Sequence, residues 1–574
     1  MDLSVPVLTD ESLRSPPEAP RENVIYRDQL LNACEKDKEL ATEVLALCSK
    51  NIFWCFNTFF WTFDTRRASP SVPFILWPYQ REFLQNLEDN LKESKDLLLA
   101  KSRDMGATWI ILGWLLFHWR FDKGFQALIG SRLEELIDKH GDMATHFERL
   151  RWMTKHLPSW WLPAGFDVSK HAPYMQMVNN ENGCAILGQT VTEGFSRQGR
   201  YRVTWVDEFA YCDSADSAWR AMSDSAPMRI AVSSVKGLGT KFSALRRSGT
   251  VQSIEMHWSK HPEKSKGLYC EDHGNPAPST CNWKTCSRAS KTGVGKVLRS
   301  IWYDGECERR KDDLSNIASE LDIDELSSGN PYFNLGELMR QVPESARWRG
   351  FFVEVDHDVE FRVDSNGPWY MWEPRDPSNM YALGADPSEG IGQDRSVAVI
   401  RDARERNLVC ALVGQLRPDE FAFEISKAGR YYKNAKILCE REGAGYAVNL
   451  DLSKEYGNLW YETKVDEVTQ VQSKKFGWST NLKTRPVILA QVAEEIATSS
   501  SKMRDPRLLE ECQTFIVDDS GKPRADDGFH DDFVFAWAIC GFGLQGLSSQ
   551  VKRASPFMRK HVPQVQRRSK TSLV

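Results

Sequence analysis

The sequence lacks an apolar run long enough to span a bilayer. Its most apolar stretch, residues 109–117, is far shorter than the ~20 residues a membrane helix needs. The N-terminus has no basic stretch followed by an apolar one, so no secretory signal is expected. Internal repeats are absent. So is an excess of positive charge: 74 Lys and Arg against 79 Asp and Glu leave a net charge of −5. That excludes a globally basic nucleic-acid binder and leaves local basic patches open. The thirteen cysteines are odd in number and mostly stand alone among apolar residues. They read as reduced thiols of a cytosolic protein rather than a disulfide framework.

What is present is ordinary globular material. Hydrophobic residues at 41% and charged residues at 27% rule out wholesale disorder, collagen-like and coiled-coil architectures. At roughly 100–200 residues per domain, 574 residues give room for several cores without disulfide staples. Residues 1–60 read as a loose leader (1–25) and a helical segment ending in aromatics, among them Trp54, Phe56 and Phe60. Over 61–255, short apolar strands at 96–100, 125–131, 184–187, 202–206 and 230–234 alternate with helical stretches. That alternation argues for a mostly parallel α/β sheet. Residues 256–348 read as an insertion and linker, polar first and then acidic and helical. A second α/β unit is expected over 349–548, with strands at 381–385, 396–400, 408–413 and 436–439 and a closing helix at 533–542. Residues 549–574 carry seven Lys and Arg and no Asp or Glu, as a mobile basic tail would.

The strand before Lys101 runs into Ser102, Arg103, Asp104, Met105, Gly106, Ala107 and Thr108, and then an apolar helix. Strand, loop and helix N-terminus are what a phosphate cradle needs: backbone N–H groups face the anion and a hydroxyl reaches Mg²⁺. The usual spacing G-x-x-x-x-G-K-[ST] is only half met. Gly106 and Thr108 fit, whereas Lys101 stands in place of the first glycine and Ala107 in place of the lysine. A lysine at the front of the loop can reach the β/γ-phosphates from the other side; the plain alternative is a strand–turn–helix without chemistry. The strand at 202–206 ends in Asp207 and Glu208. Asp207 suits Mg²⁺, and Glu208 suits orienting and deprotonating an attacking water. Upstream, Gln80 could bond an adenine edge or merely cap its helix. Ser233 and Ser234 end the next strand, near where a γ-phosphate would sit. Arg197, Arg200 and Arg202 are finger candidates or solvated surface arginines.

Taken in order, Gln80, the 101–108 loop, the Gly194–Arg200 stretch GFSRQGR, Asp207-Glu208 and Ser233-Ser234 resemble the large terminase subunit of tailed bacteriophages. Some members of that family carry a phosphate loop whose lysine sits at the front, as Lys101 does. The coupling motif there is often Ser-Ser-Thr; here Val235 takes the third place. The resemblance extends over roughly 50–548. It implies an additional-strand (ASCE-type) P-loop ATPase domain followed by a ribonuclease H-like nuclease domain. It also implies an ATP-driven motor that moves double-stranded DNA into a procapsid and a metal-dependent endonuclease that cuts the concatemer. Its implied partners are the portal protein, a small terminase subunit and further copies in a ring, in the host cytoplasm and with no membrane. Rival readings are a helicase–nuclease of DNA repair and a non-catalytic DNA-binding scaffold.

The second unit supplies Asp386, Glu440, Asp531 and Asp532 at strand and helix ends. Converging carboxylates can hold two Mg²⁺ or Mn²⁺ ions for phosphodiester cleavage. The resemblance, not the sequence, implies that they converge, with acids on the first strand, a later strand and the final helix. Glu442 competes with Glu440, Asp531 and Asp532 stay equivalent, and Asp394 is expected behind the ligands. His530 reads as structural, and Asp526 and Asp527 as solvated acids. Finally, Cys270, His273, Cys281 and Cys286 place three thiols and an imidazole within seventeen residues. They suit a structural Zn²⁺ knuckle, or are incidental to a polar insertion.

Overall fold

The structure is a computed structural model that describes residues 15–356, 358–390, 395–465, 472–518, 520–545 and 547. Asp394 and the basic tail lie outside the described residues. The chain divides into two compact units, residues 1–329 and 330–574. The segment 256–348, expected as one insertion and linker, therefore contributes to both. Among the described residues no helix is long and apolar enough to cross a membrane.

The first unit is built on seven strands: β1 (Leu97–Lys101), β2 (Gln126–Ser131), β3 (Gln176–Asn179), β4 (Cys184–Thr190), β5 (Val203–Asp207), β6 (Arg229–Ser233) and β7 (Gln252–Met256). They line up in the order β3-β4-β2-β5-β6-β1-β7, all parallel except β3. Strand β6 is inserted between the loop strand β1 and the acid strand β5. This is the additional strand that defines the ASCE type of P-loop ATPase fold. Four of the five expected strands begin or end one residue off, and β4 runs three residues longer. Strands β3 and β7 were not foreseen; β7, Gln252–Met256, is an edge strand with exposed polar side chains and so has no apolar run to betray it.

Helix Ala107–Phe121 is apolar on nearly every side because it is buried on nearly every side. It packs under the helical N-terminal segment, whose Phe56 and Phe60 meet edge to face at 4.8 Å. Buried Arg27 ties that segment down, donating to the carbonyls of Phe60 (2.7 Å) and Asn57 (2.8 Å). The expected loose leader is already helical from Pro20, where proline at the first helical position and Glu22 in the first turn favour a start.

The second unit also carries seven sheet strands: β8 (Trp348–Val355), β9 (Asp358–Val363), β10 (Trp369–Met371), β11 (Tyr381–Asp386), β12 (Ser396–Asp402), β13 (Leu408–Gly414) and β14 (Lys436–Cys439). Their order is β9-β8-β10-β13-β12-β11-β14. Strands β11, β12 and β13 form an antiparallel meander, and β14 lies parallel beside β11. That pattern is the ribonuclease H-like sheet. The closing helix, Asp532–Gly543, crosses directly over β11. A Cβ on Gly384 would lie 2.2 Å from the Ala536 carbonyl oxygen, so only glycine allows this approach. Beneath the helix, fully buried Arg401 pairs with Glu495 at 2.8 Å and stacks its guanidinium 3.6 Å from the Trp537 ring.

Candidate functional site

In the first unit the carboxyl ends of β1, β5 and β6 converge, the edge at which parallel α/β sheets bind ligands. The loop after β1 turns through Asp104 (φ 56°) and Gly106 (φ 80°) and delivers Ala107 and Thr108 to a helix N-terminus. Gly106 is required twice over, because a Cβ there would also lie 2.8 Å from Gln80 Nε2. The Thr108 hydroxyl donates to Asp207 Oδ2 at 3.0 Å, and His146 Nε2 lies 3.1 Å from the same oxygen. Burial opposes the charge on Asp207. The His146 hydrogen bond, the nearby Lys101 charge and the Thr108 hydroxyl outweigh it and bring its pKa down to about 2. Asp207 is thus an ionised carboxylate beside a hydroxyl, a donor set that fits Mg²⁺.

Glu208 follows in a left-handed backbone conformation (φ 53°), which is uncommon for a residue with a side chain. Its carboxylate pairs with Arg132 at 3.1 Å, both side chains about half exposed. Ser233 Oγ accepts from Ala210 N (3.1 Å), and Ser234 Oγ donates to Glu320 Oε1 (2.9 Å). Tyr211 OH lies 3.2 Å from Ser234 Oγ.

Several loop residues do something other than face solvent. Ser102 is buried, its N–H bonded to Met256 O (2.9 Å) and its hydroxyl donating to Leu321 O (2.6 Å). Arg103 N donates to Glu320 O (2.7 Å), and Arg66 pairs with Asp104 at 2.8 Å. Met105 is buried, and its carbonyl accepts from Tyr79 OH (3.0 Å) and Gln80 Nε2 (3.3 Å). Gln80 Oε1 accepts from Trp77 N (3.1 Å). Gln80 therefore caps its own helix with Oε1 and braces the loop with Nε2, rather than holding out a free edge to a base. Of the arginines, Arg197 and Arg200 are exposed, and Arg202 donates to Leu91 O (3.0 Å).

Four residues near this site carry little or no signal in the sequence. His146 and Arg132 contact the two acids. Arg149 stacks 5.3 Å from the Trp109 ring; burial lowers its pKa against the opposing pull of Asp207 and Asp142. Lys264 donates to Arg103 O at 2.5 Å, and burial lowers its pKa to about 8. The available signal for Arg132 was its place at the end of an apolar strand. For the others, only tertiary contacts reveal them.

In the second unit Asp386 ends β11 and Glu440 follows the parallel strand β14, whose chain is held by Glu440 N donating to Ala385 O (2.9 Å). This register sets the two carboxyls within hydrogen-bonding reach of each other. Burial, then the charges of Glu440, Asp532 and Asp531, raise the Asp386 pKa well above the carboxylate range. Crowded, partly buried acids of this kind fit Mg²⁺ or Mn²⁺. Glu442 instead accepts from Ser479 Oγ at 3.4 Å. Asp531 precedes the closing helix and lies 3.9 Å from Arg485; Asp532 opens the helix, with His530 Nδ1 3.7 Å away. Asp527 is exposed and pairs with Arg524 at 2.8 Å. Glu511, not foreseen, accepts from Phe533 N (2.7 Å) and Val534 N (3.2 Å) and pairs with Arg395 at 3.0 Å. Burial, and then Asp532, raise its pKa to about 8.

Cys270, His273, Cys281 and Cys286 also come together, their ligand atoms all within 4.8 Å of one another. Among the described residues no other group of three or more His, Cys, Asp or Glu side chains brings its ligand atoms this close together.

No family model matches the chain, and no curated protein matches it. Among solved structures it is similar to the HK97 bacteriophage large terminase, at 12% identity over 86% of this chain and 99% of that one, with a TM-score of 0.38. The large terminase of a thermophilic bacteriophage, solved in complex with ADP, matches at 10% identity over 80% of this chain and 97% of that one, TM-score 0.28. The large terminase nuclease of thermophilic phage G20c with bound magnesium matches at 17% identity over 37% of this chain and 97% of that one, TM-score 0.28. Identities and scores this low leave the functional reading to the chain's own geometry.

Proposed function

We propose that the chain is a large terminase subunit, an ATP-driven motor that packages viral double-stranded DNA and a metal-dependent endonuclease that cuts it. The observation that carries the proposal is the presence in one chain of two different sheets, each with an acid set at the carboxyl edge. One joins a front-lysine phosphate loop to Asp207-Glu208. The other sets Asp386 against Glu440 under a helix headed by Asp532.

In the ATPase, Lys101 supplies positive charge at the mouth of the loop, and the loop's backbone N–H groups meet the phosphates. Thr108 and Asp207 would hold Mg²⁺, with His146 orienting the carboxylate. Glu208 takes a proton from the attacking water, and Arg132 holds it until nucleotide arrives. In the nuclease, Asp386, Glu440 and the Asp531-Asp532 pair would hold Mg²⁺ or Mn²⁺. Bound there, the ions supply charge neutralisation and an activated water at the scissile phosphate. DNA would be gripped at its phosphates without sequence reading, leaving site choice to a small subunit. A ring of copies on the portal of the procapsid, in the host cytoplasm, completes the proposed setting.

The test uses the full chain with plasmid DNA and Mg²⁺ or Mn²⁺, beside Asp386→Asn and Glu208→Gln. Asp386→Asn should abolish cleavage and leave ATP hydrolysis within about twofold; Glu208→Gln should do the reverse. Strand separation of DNA by wild type, with no dependence on procapsids, would turn the reading into a helicase–nuclease. Two activities untouched by both substitutions would overturn the site assignments, and neither activity in wild type would leave a scaffold.

A further inference from the structure

We propose that Cys270, His273, Cys281 and Cys286 bind a structural Zn²⁺ ion that fixes the 268–299 lobe against the strand beside the phosphate loop. The geometry is that of a tetrahedral shell. His273 Nδ1 lies 3.2 Å from Cys270 Sγ, 3.3 Å from Cys281 Sγ and 3.7 Å from Cys286 Sγ. With Zn–S near 2.3 Å and Zn–N near 2.0 Å, neighbouring vertices of a tetrahedron stand about 3.5–3.8 Å apart. Hydrogen bonding does not account for the convergence, because one imidazole nitrogen has a single lone pair or a single proton to share among three sulfurs.

The surrounding lobe needs such a staple. Its regular structure is one ladder of two residues a side, Tyr269–Cys270 against Leu298–Arg299. Its local core has four buried members, Cys270, Cys286, Val297 and Leu298, and two of these are ligands. A segment of this size has too little apolar surface to order itself by burial alone, and small units of that kind are held by metals or disulfides. The four ligands belong to the protein, so the shell is closed and its role structural rather than catalytic.

The loop between Cys281 and Cys286 carries the lobe's docking residues. Trp283 stacks on His257, with centroids 4.9 Å apart and planes 8° apart, and Lys284 pairs with Glu255 at 2.5 Å. Glu255 lies on β7, whose Met256 carbonyl holds Ser102 of the phosphate loop, and the next residue but one, Trp258, donates its N–H to Ser102 Oγ at 3.0 Å. Metal in the knuckle thus holds one wall of the loop.

The test is metal analysis of the full chain, purified under reducing conditions with no chelator and no added metal. Wild type should carry about one equivalent of zinc and His273→Cys should keep it, whereas Cys281→Ser and His273→Ala should retain less than about a third. Replacement with Co²⁺ should give the intense visible absorption of a tetrahedral thiolate site. Chelation should raise hydrogen exchange across 268–299 and leave 381–439 unchanged. Should Cys281→Ser fail to fold, the wild-type metal content and Co²⁺ spectrum decide. Less than about a tenth of an equivalent with no uptake of added Zn²⁺, a different metal at full occupancy, or a disulfide among these cysteines would overturn the proposal. None of these outcomes depends on the chain being a terminase.

Discussion

Asp207 shows how single residues set the chemistry. It is buried and ionised, and three partners explain why: the His146 ring, the Lys101 charge and the Thr108 hydroxyl. A partner that orients a metal-binding carboxylate is commonly worth about 10–100-fold in affinity or activity. His146→Ala should therefore raise the Mg²⁺ concentration needed for half-maximal ATP hydrolysis by about tenfold or more, with His146→Gln intermediate. A Mg²⁺ titration unchanged in both variants would remove His146 from the site. At this scale the sequence was legible where chemistry leaves a local mark. Lys101, Asp207 and Glu208 stand at strand ends and Thr108 at a helix start, next to apolar runs that locate them. His146 does not, because sixty-one residues separate it from Asp207 and only the fold joins them. Gln80 was found by position, but its two amide atoms prove to be engaged by Trp77 and Met105.

Two short elements show how sites are held. The π-helical turn Ala318–Asp322 links the phosphate loop to the proposed coupling segment. Its Glu320 takes Arg103 N on its carbonyl and Ser234 on its carboxylate, and Leu321 O takes the Ser102 hydroxyl. Isolated π-turns of this kind recur at functional sites. Burial raises Asp322 at its end to about 7, against the Tyr303 hydroxyl and the Lys296 charge. An unfolded aspartate titrates near 3.9, so between about pH 4 and 7 the folded chain holds one more proton than the unfolded chain. This group's contribution to stability is complete below about pH 4, falls as pH rises, and is lost above about 7. Asp322→Asn should flatten that part of the pH profile in denaturant midpoints measured from pH 5 to 8. An identical slope in wild type and variant would contradict the assignment.

The closing helix of the second unit depends on another buried group. Arg401→Met leaves buried Glu495 with the longer Arg406 ion pair at 3.9 Å and should destabilise by about 3 kcal/mol. The double change Arg401→Met with Glu495→Leu should recover most of that, as read by denaturant unfolding of the full chain. Equal losses in single and double variants would show that the pair is not what holds the helix. Strands β11 to β14 and the closing helix were legible because they are continuous apolar runs. Strands β8, β9 and β10 were not, since β8 and β9 alternate polar and apolar residues and β10 has three residues.

Across the whole molecule, two compact units each bring their own acids to the carboxyl edge of their own sheet. The sequence showed two alternating segments. It placed one insertion between them, where the structure shows residues 256–329 packed into the first unit. Lys264, Ser319 and Glu320 hold loop and strand ends through polar contacts, which leave no apolar pattern in the sequence. The convergence of Asp386 with Glu440 was likewise invisible in the sequence, because it arises from a parallel register between β11 and β14.

The proposed motor depends most heavily on the phosphate loop, whose lysine stands at the front and not in its usual place. The most direct measurement is Mg²⁺-dependent ATP hydrolysis by the full chain with DNA present, beside Lys101→Ala and Glu208→Gln. Turnover by wild type and a loss of at least about a hundredfold in both variants, about 2.7 kcal/mol of barrier, is the predicted result. Normal turnover in Lys101→Ala would contradict the front-lysine loop, and no turnover by wild type would contradict the motor.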